Sequence, residues 1–133
     1  MLKRVYLIAM VAMIGAVISV NGQKDAEVVV KLAEQATVCE TDLKVEFLAV
    51  VEDSRCPEGV DCIHAGNATV RVKVTSKLGE PQIFTFNTMR SDETFEFERY
   101  EFSLIALDPY PKEGVEMKKE DYTARIRAAK KPE

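Results

Sequence analysis

The sequence predicts an all-β fold, a single antiparallel β-sandwich or open barrel of about seven strands, after an N-terminal signal peptide. Beyond the first twenty or so residues, apolar side chains recur at every second position, the pattern of strands with one face turned inward. Turn residues interrupt this alternation at regular intervals, as in all-β domains. Two closely spaced cysteines, Cys56 and Cys62, lie in one of the longer connections.

The alternation also places the strands. Leu43–Val51 is predicted as a central strand whose odd-numbered residues face inward, and Thr69–Thr75 as a half-buried strand built on three valines. The segment Thr94–Leu107 is long for one strand, so a break is expected at Arg99–Glu101. The other predicted elements are strands at Val28–Leu32, Ala36–Val38, Pro81–Thr88 and Tyr122–Arg127, a strand end at Asp108–Pro111, a polar loop with a short helical turn at Lys112–Glu120, and a frayed tail at Ala128–Glu133.

The N-terminal segment has the features of a secretory signal peptide. Lys3 and Arg4 precede an apolar run without acidic residues, and Val20 and Gly22 occupy the small-residue positions before a cleavage point. Removal of residues 1–22 is expected to leave 23–133 as a single β domain, periplasmic or secreted and without stable membrane insertion. The alternative is retention of the run as an anchor, because it is only slightly shorter than the ~20 residues that span a bilayer.

Charge excludes one class of partner. Residues 1–22 hold two of the 18 basic residues and none of the 22 acidic ones, which leaves 16 against 22 and a net charge of −6. Such a surface does not bind nucleic acid unaided. The remaining 111 residues are enough for one domain with one core.

The connection between the two clearest strands is the candidate site. In an oxidising compartment Cys56 and Cys62 are predicted to form a disulfide, since Pro57 and Gly59 bend the chain between them. Closing so short a loop removes on the order of 2 kcal/mol of unfolded-state entropy, so the bond mainly fixes local shape. Rigidly held loops often carry binding sites. The candidate binding residues are Asp53, Arg55, Glu58, Val60, Asp61, Ile63 and His64.

Two other hypotheses compete for this loop. Arg55 and Asp53 could instead turn inward and satisfy loop carbonyls and amides, which would make the segment a structural plug. Alternatively, Cys56, Cys62 and His64 could ligate zinc or copper, with Cys39 or Met89 as a fourth ligand; this requires reduced thiols. The disulfide is the stronger competitor outside the cytosol, so no cofactor is expected.

Cys39 is left without a partner when Cys56 and Cys62 pair. We expect it to be a small buried side chain in an early strand. The alternatives are an intermolecular disulfide or pairing with one of the other two cysteines, because an odd cysteine is unusual in an exported protein.

No catalytic motif is recognisable in the sequence. It contains neither a nucleophile elbow nor a glycine-rich phosphate loop nor a zinc-protease helix. Glu96, Glu98 and Glu101 lie close together, but alternation places Glu96 and Glu98 opposite two phenylalanines, on a solvated face. The chain is therefore not expected to be an enzyme, and a carboxylate hydrolase is the minor alternative.

One part of the loop carries a specific motif, formed by Asp53-Ser54-Arg55-Cys56-Pro57, Gly59-Val60, Cys62, Ala65-Gly66 and Ala68. It resembles a family of small, uncharacterised exported bacterial proteins and lipoproteins. The resemblance extends to Leu107–Pro111 and Asp121–Tyr122 and covers roughly residues 43–127; His64 stands where the family usually has Trp. It implies a β-rich exported domain with this disulfide and no established activity.

These observations together predict an exported, non-enzymatic binding module of the cell envelope. Its partner is expected to be a protein or a glycan. The alternative function is metal handling by Cys56, Cys62 and His64.

Overall fold

The computed structural model describes residues 25–132, which form eight strands and one 3-10 turn. The predicted signal peptide lies outside these residues. The strands are β1 (Ala26–Lys31), β2 (Gln35–Thr37), β3 (Lys44–Asp53), β4 (Ala68–Thr75), β5 (Gln82–Asn87), β6 (Phe95–Phe97), β7 (Tyr100–Asp108) and β8 (Thr123–Lys130), and the 3-10 turn is Lys119–Asp121. Within the described range no helix is long and apolar enough to cross a membrane.

The strands form two four-stranded antiparallel sheets, with the orders β1-β8-β7-β6 and β2-β3-β4-β5. Of the two predicted architectures, the β-sandwich is the one that forms. The strand count is eight because the expected break separates β6 from β7 at Glu98 and Arg99. Glu98 has a φ of 55°, which reverses the chain between these two strands.

The core lies between the sheets and is built from alternate residues, as the sequence predicts. Val70, Val72 and Val74 of β4 are fully buried, and so are Phe102 of β7 and Ile126 of β8. At one side of the core five phenylalanine rings pack in four pairs with centroid separations from 5.1 to 6.5 Å, a range typical of favourable aromatic pairs. These contacts join β5 to the other sheet.

Two β-bulges in β3 change which of its residues face the core. The register with β4 shifts after Phe47 and again after Val50. Each bulge adds one residue to one strand and thereby reverses the alternation. Val51, predicted to face inward, is therefore 52% exposed. The second bulge brings Asp53 opposite the buried Ala68, at the inner side of the strand end.

The prediction of a frayed tail at Ala128–Glu133 is wrong for its first three residues, Ala128–Lys130. β8 continues to Lys130, and Ala128 is fully buried between Ala26 of β1 and Phe102 of β7. Because β8 has a partner strand on each side, its backbone groups remain paired over two further residues on the β7 side. Central strands of this kind do not fray where a neighbour continues beside them.

Cys39 also differs from the prediction, since it is exposed and not buried. It follows β2 in a turn, where the preceding Val38 takes the buried position. The turn is closed by Thr41, whose backbone N–H and hydroxyl both donate to the Val38 carbonyl, at 3.1 and 2.8 Å. Val38 therefore fills the core position expected for the cysteine.

Candidate functional site: the disulfide loop and its anchor

Arg55 lies at the centre of the site and points into the protein. Its Nε and Nη2 atoms donate to the two carboxylate oxygens of Asp53, each at 2.8 Å. Nη1 donates to the carbonyl of Leu107 at 2.7 Å, and Nη2 also donates to the carbonyl of Pro109 at 3.1 Å. The side chains of Arg55 and Asp53 are only 7% and 11% exposed. One guanidinium thus joins the start of the disulfide loop to the end of β7.

Two tyrosines complete this arrangement. The Tyr122 hydroxyl donates to Asp53 Oδ2 at 2.8 Å, and the ring of Tyr110 lies 5.2 Å from the Arg55 guanidinium carbon, within the range of a cation-π contact. The Tyr110 hydroxyl donates to the Cys56 carbonyl at 2.8 Å. We call Asp53, Arg55, Tyr110 and Tyr122 the anchor cluster. It fixes the loop against β7 and β8, in agreement with the plug hypothesis for Arg55 and Asp53.

The backbone of the loop is held from both sides. Ser54 N donates to the Asn67 carbonyl at 2.7 Å and Cys56 N to the Ala65 carbonyl at 3.0 Å, which extends the β3–β4 pairing into the loop. On the other side Glu58 N donates to the Pro111 carbonyl, and the Glu58 carbonyl accepts from the amide of residue 113, both at 2.9 Å. The loop therefore has little freedom left.

The predicted Cys56–Cys62 disulfide is confirmed, with the two Sγ atoms bonded and the Cα atoms 6.0 Å apart. A sulfur in a disulfide is not a thiolate, so metal handling by these residues and His64 requires reduction first. Across residues 25–132 no three His, Cys, Asp or Glu side chains lie close enough together to hold a metal ion.

The other candidate residues form the outer side of the loop. We call Glu58, Val60, Asp61, Ile63 and His64 the loop rim; all five are exposed. Ile63 is 95% exposed and Val60 40%. Asp53 and Arg55 are not part of the candidate binding surface, because their side chains are buried in the anchor cluster. The structure thus divides the predicted residues into an inner structural pair and an outer surface.

The polar groups of the anchor cluster bond mainly to one another and to the backbone. Four of the five N–H donors of Arg55 are engaged, and the Asp53 carboxylate accepts from Arg55 and Tyr122. No known family model, curated protein or solved structure matches this chain. Function therefore rests on the chemistry of the residues themselves.

The glutamates considered for hydrolysis each have a partner elsewhere. Glu96 and Glu101 lie on adjacent strands and both approach Lys131, Glu101 with an N–O distance of 4.0 Å. Glu98 accepts from the Ser76 hydroxyl at 2.5 Å. The contacts of Glu96 and Glu101 with Lys131 are surface ion pairs, as alternation predicts for the exposed side of β6. Glu98 lies in the turn that follows β6.

Sequence reasoning missed the partners of Arg55. Tyr110, Tyr122 and the carbonyls of Leu107 and Pro109 lie more than fifty positions along the chain. The segments Leu107–Pro111 and Asp121–Tyr122, which the expected resemblance includes, contain all four, but no pattern in them indicates a contact with Arg55. The motif residues that looked like a binding loop thus meet as one structural unit.

Mutual contacts shift the ionisation of this unit. Burial alone would raise the pKa of Asp53, but hydrogen bonds from Arg55 and Tyr122 and the guanidinium charge outweigh it and lower the pKa. The stability linked to Asp53 is therefore fully present above pH ~3.9, the ordinary pKa of an unfolded Asp. It is lost as the pH falls through the lower pKa of Asp53 in the folded state. Burial, the hydrogen bond to Asp53 and its negative charge raise the pKa of Tyr122 to about 12.

Tyr122→Phe is expected to reduce the alkaline sensitivity of the fold. The stability linked to Tyr122 is fully present below its unfolded pKa of ~10 and disappears as pH rises towards about 12, a contribution of up to about 3 kcal/mol. Urea unfolding at pH 8 and at pH 11 measures this contribution. The difference in free energy of unfolding between wild type and variant should be smaller at pH 11 than at pH 8. Tyr100→Phe is the control, and a gap independent of pH would contradict the linkage.

Proposed function

We propose that this chain is an exported, non-enzymatic binding module that recognises a protein partner through the loop rim. The observation that carries the proposal is the side chain of Ile63, 95% exposed at the tip of a loop whose backbone is fixed. A mobile loop could turn such a side chain away from water, whereas this one holds it in place. An apolar side chain held in water in this manner is available for burial by a partner.

The rigidity of the loop favours binding energetically. Ordering a free loop on association opposes binding, and a preorganised loop avoids most of that cost. Here the disulfide, the anchor cluster and the backbone bonds at Cys56 and Glu58 have already ordered the segment. The loop rim can therefore bind without first losing conformational entropy.

The charge of the loop rim indicates the chemistry of the partner. Glu58 and Asp61 alternate with Val60 and Ile63 along the loop rim, while the charges of Asp53 and Arg55 neutralise each other inside. Apolar and polar side chains occur together in protein interfaces. The complementary surface is an apolar pocket bordered by Lys or Arg.

Two features support export. The first is the signal-peptide pattern of residues 1–22, and the second is the disulfide itself, because such bonds persist in oxidising compartments and are rare in the cytosol. A partner in the cell envelope or outside the cell is consistent with both.

The triple variant Glu58→Gln/Val60→Ser/Ile63→Ser is expected to lose partner capture while its stability changes by less than about 0.5 kcal/mol, because all three side chains are exposed. The measurement uses protein exported by its own leader, with a photo-crosslinker at position 61, and identifies the captured protein or glycan by mass spectrometry. The readout is the yield of that one adduct.

Leu78→Ser is the matched control, since Leu78 is 99% exposed in the hairpin at the other end of β4. It should leave capture unchanged. Undiminished capture by the triple variant contradicts the proposal, and so does equal loss in Leu78→Ser. A glycan as the captured species would contradict the choice of a protein partner.

A further inference from the structure

The four residues Asp61–His64, which we call the rim segment, are attached to the rest of the fold by the disulfide at Cys62. All four are exposed, and in the part of the chain that the structure describes none of them makes a hydrogen bond or an ion pair. The nearest backbone hydrogen bonds are those of the Val60 N–H and of the Ala65 carbonyl, one on either side of the segment. The position of Ile63 is therefore set by the disulfide.

Cys56, the other half of the disulfide, is held in place independently of that bond. Its N–H donates to the Ala65 carbonyl at 3.0 Å, and its carbonyl accepts from the Tyr110 hydroxyl at 2.8 Å. The neighbouring Arg55 is fixed in the anchor cluster. The disulfide thus joins a fixed cysteine to one whose own segment has no other attachment, so breaking the bond releases one side only.

The two sulfur atoms differ in how easily a thiolate can reach them. Cys62 is exposed, whereas Cys56 is half-buried. Cys56 Sγ also lies 3.2 Å from the carbonyl oxygen of Val60 and 3.8 Å from that of Pro57. Thiol–disulfide exchange begins with attack by a thiolate, and the partial negative charge of these two oxygens repels such an anion. Cys62 Sγ is therefore the sulfur that is open to attack.

We propose that the Cys56–Cys62 disulfide is a reversible redox switch of the loop rim, opened by a dithiol reductant of the cell envelope. Exposed disulfides are the ones that serve as labile, regulatory bonds. The proposal rests on the function proposed above, because the switch acts on the surface assigned to the partner.

The exchange takes place in two steps. One thiolate of the reductant attacks Cys62 Sγ and forms a mixed disulfide, and Cys56 leaves as a thiolate that takes up a proton. The second thiol of the reductant then loses its proton, attacks the reductant's own sulfur in the mixed disulfide and releases Cys62, which is protonated in turn. Two electrons pass to the protein, so that Cys56 and Cys62 become thiols and the reductant becomes a disulfide.

Reduction is expected to change the loop rim and to leave the fold intact. Without the disulfide the rim segment is free to move, so a partner must order it on binding, and the affinity falls. The anchor cluster and the core do not contain the disulfide, so the sandwich remains folded. Because Cys56 stays in place, the reverse exchange with a disulfide-bearing oxidant closes the bond again.

A trapping experiment tests the site of attack. Oxidised exported protein is mixed with a thioredoxin variant that lacks its second active-site cysteine, the mixture is quenched with acid, and the adduct is mapped by mass spectrometry. A mixed disulfide is expected on Cys62, in at least about tenfold excess over Cys56. Absence of an adduct, or equal amounts on the two cysteines, overturns the proposal. Cys39→Ser is the control and should leave the yield unchanged, and an adduct lost with it contradicts the assignment.

Nitrogen-15 relaxation of the oxidised protein, and of the protein reduced with dithiothreitol, tests the release of the rim segment. The backbone order parameters of Asp61, Ile63 and His64 should be near the rigid value of about 0.85 when oxidised and fall below about 0.6 on reduction. Those of Ser54 and Cys56 should stay near the rigid value, and reoxidation should restore the others. Unchanged order parameters in the rim segment, or a loss of order at Ser54 and Cys56, would refute the switch.

Partner capture distinguishes failure of the switch from failure of the proposed function. Where the triple variant loses capture through the photo-crosslinker at position 61, reduced wild type should lose it too, by at least about tenfold. Undiminished capture by the reduced protein overturns the switch and leaves the function standing. Undiminished capture by the triple variant contradicts the function, and the adduct and the order parameters, which involve no partner, then decide the switch by themselves.

Discussion

Arg55→Ala is expected to lower the free energy of unfolding by about 3–5 kcal/mol, the range for breaking a buried ion pair from one side. The substitution leaves the Asp53 carboxylate, 11% exposed, without its cation. It also removes the donors to the carbonyls of Leu107 and Pro109, which hold the loop to the end of β7. Urea unfolding at pH 7 with the disulfide intact measures the loss.

A double-mutant cycle shows whether the loss comes from the unpaired charge. Asp53→Asn in the Arg55→Ala background removes that charge, so the double variant should be less destabilised than the sum of the two single variants by at least about 1 kcal/mol. Arg71→Ala, at an exposed position of β4, is the control and should cost less than about 0.5 kcal/mol. A loss below about 1 kcal/mol in Arg55→Ala would mean that the cluster does not anchor the loop.

The expected loss follows from contacts that sequence alone could not supply. Pairing of Cys56 with Cys62 is readable because the two cysteines are near in sequence and their chemistry leaves few choices. The acceptors of Arg55 are main-chain carbonyls, which every residue carries, so no side-chain pattern marks Leu107 or Pro109. Geometry alone distinguishes the structural plug from a recognition loop.

The fold was more accessible than the site for a similar reason. β4 and β8 have one face in the core and one towards solvent, so buried apolar residues occur at every second position. Examples are Val70, Val72 and Val74 and also Tyr122, Ala124 and Ile126. Bulges break that link between pattern and burial. From Phe47 to Val51 both faces of β3 are apolar, so nothing in the sequence marks the two register shifts.

Those bulges have a consequence for the site. Strict alternation would place Val51 and Asp53 on the same side of β3 as Phe47, which is fully buried. The first bulge reverses the alternation after Phe47 and the second reverses it again after Val50, so Val51 is 52% exposed while Asp53 lies on the inner side and meets Arg55. The second bulge therefore restores the inward position of the Asp53 carboxylate, which the first bulge alone would have turned outward.

Gly66→Ala is expected to be as destabilising as Arg55→Ala, by about 3–5 kcal/mol. Gly66 has a φ of +67°, where an L-residue with a Cβ is strained by about 1–2 kcal/mol. A Cβ at this position would also lie 1.8 Å from the Ser54 carbonyl oxygen and 3.2 Å from the Arg55 Cα. Those are backbone atoms of the paired strand, so relief of the overlap displaces the segment that carries Arg55.

Gly114→Ala separates the two contributions. Gly114 has a similar φ of +75°, but no atom lies within 4 Å of a Cβ built there, so this variant reports backbone strain alone, about 1–2 kcal/mol. The difference between the variants in urea unfolding is then the cost of the close approach between Gly66 and Ser54. That close approach fixes the position of Arg55. In the Gly66→Ala background, the effect of Tyr122→Phe on the free energy of unfolding should therefore be the same at pH 8 and at pH 11. Equal destabilisation in the two glycine variants would show that the loop yields without disturbing its anchor.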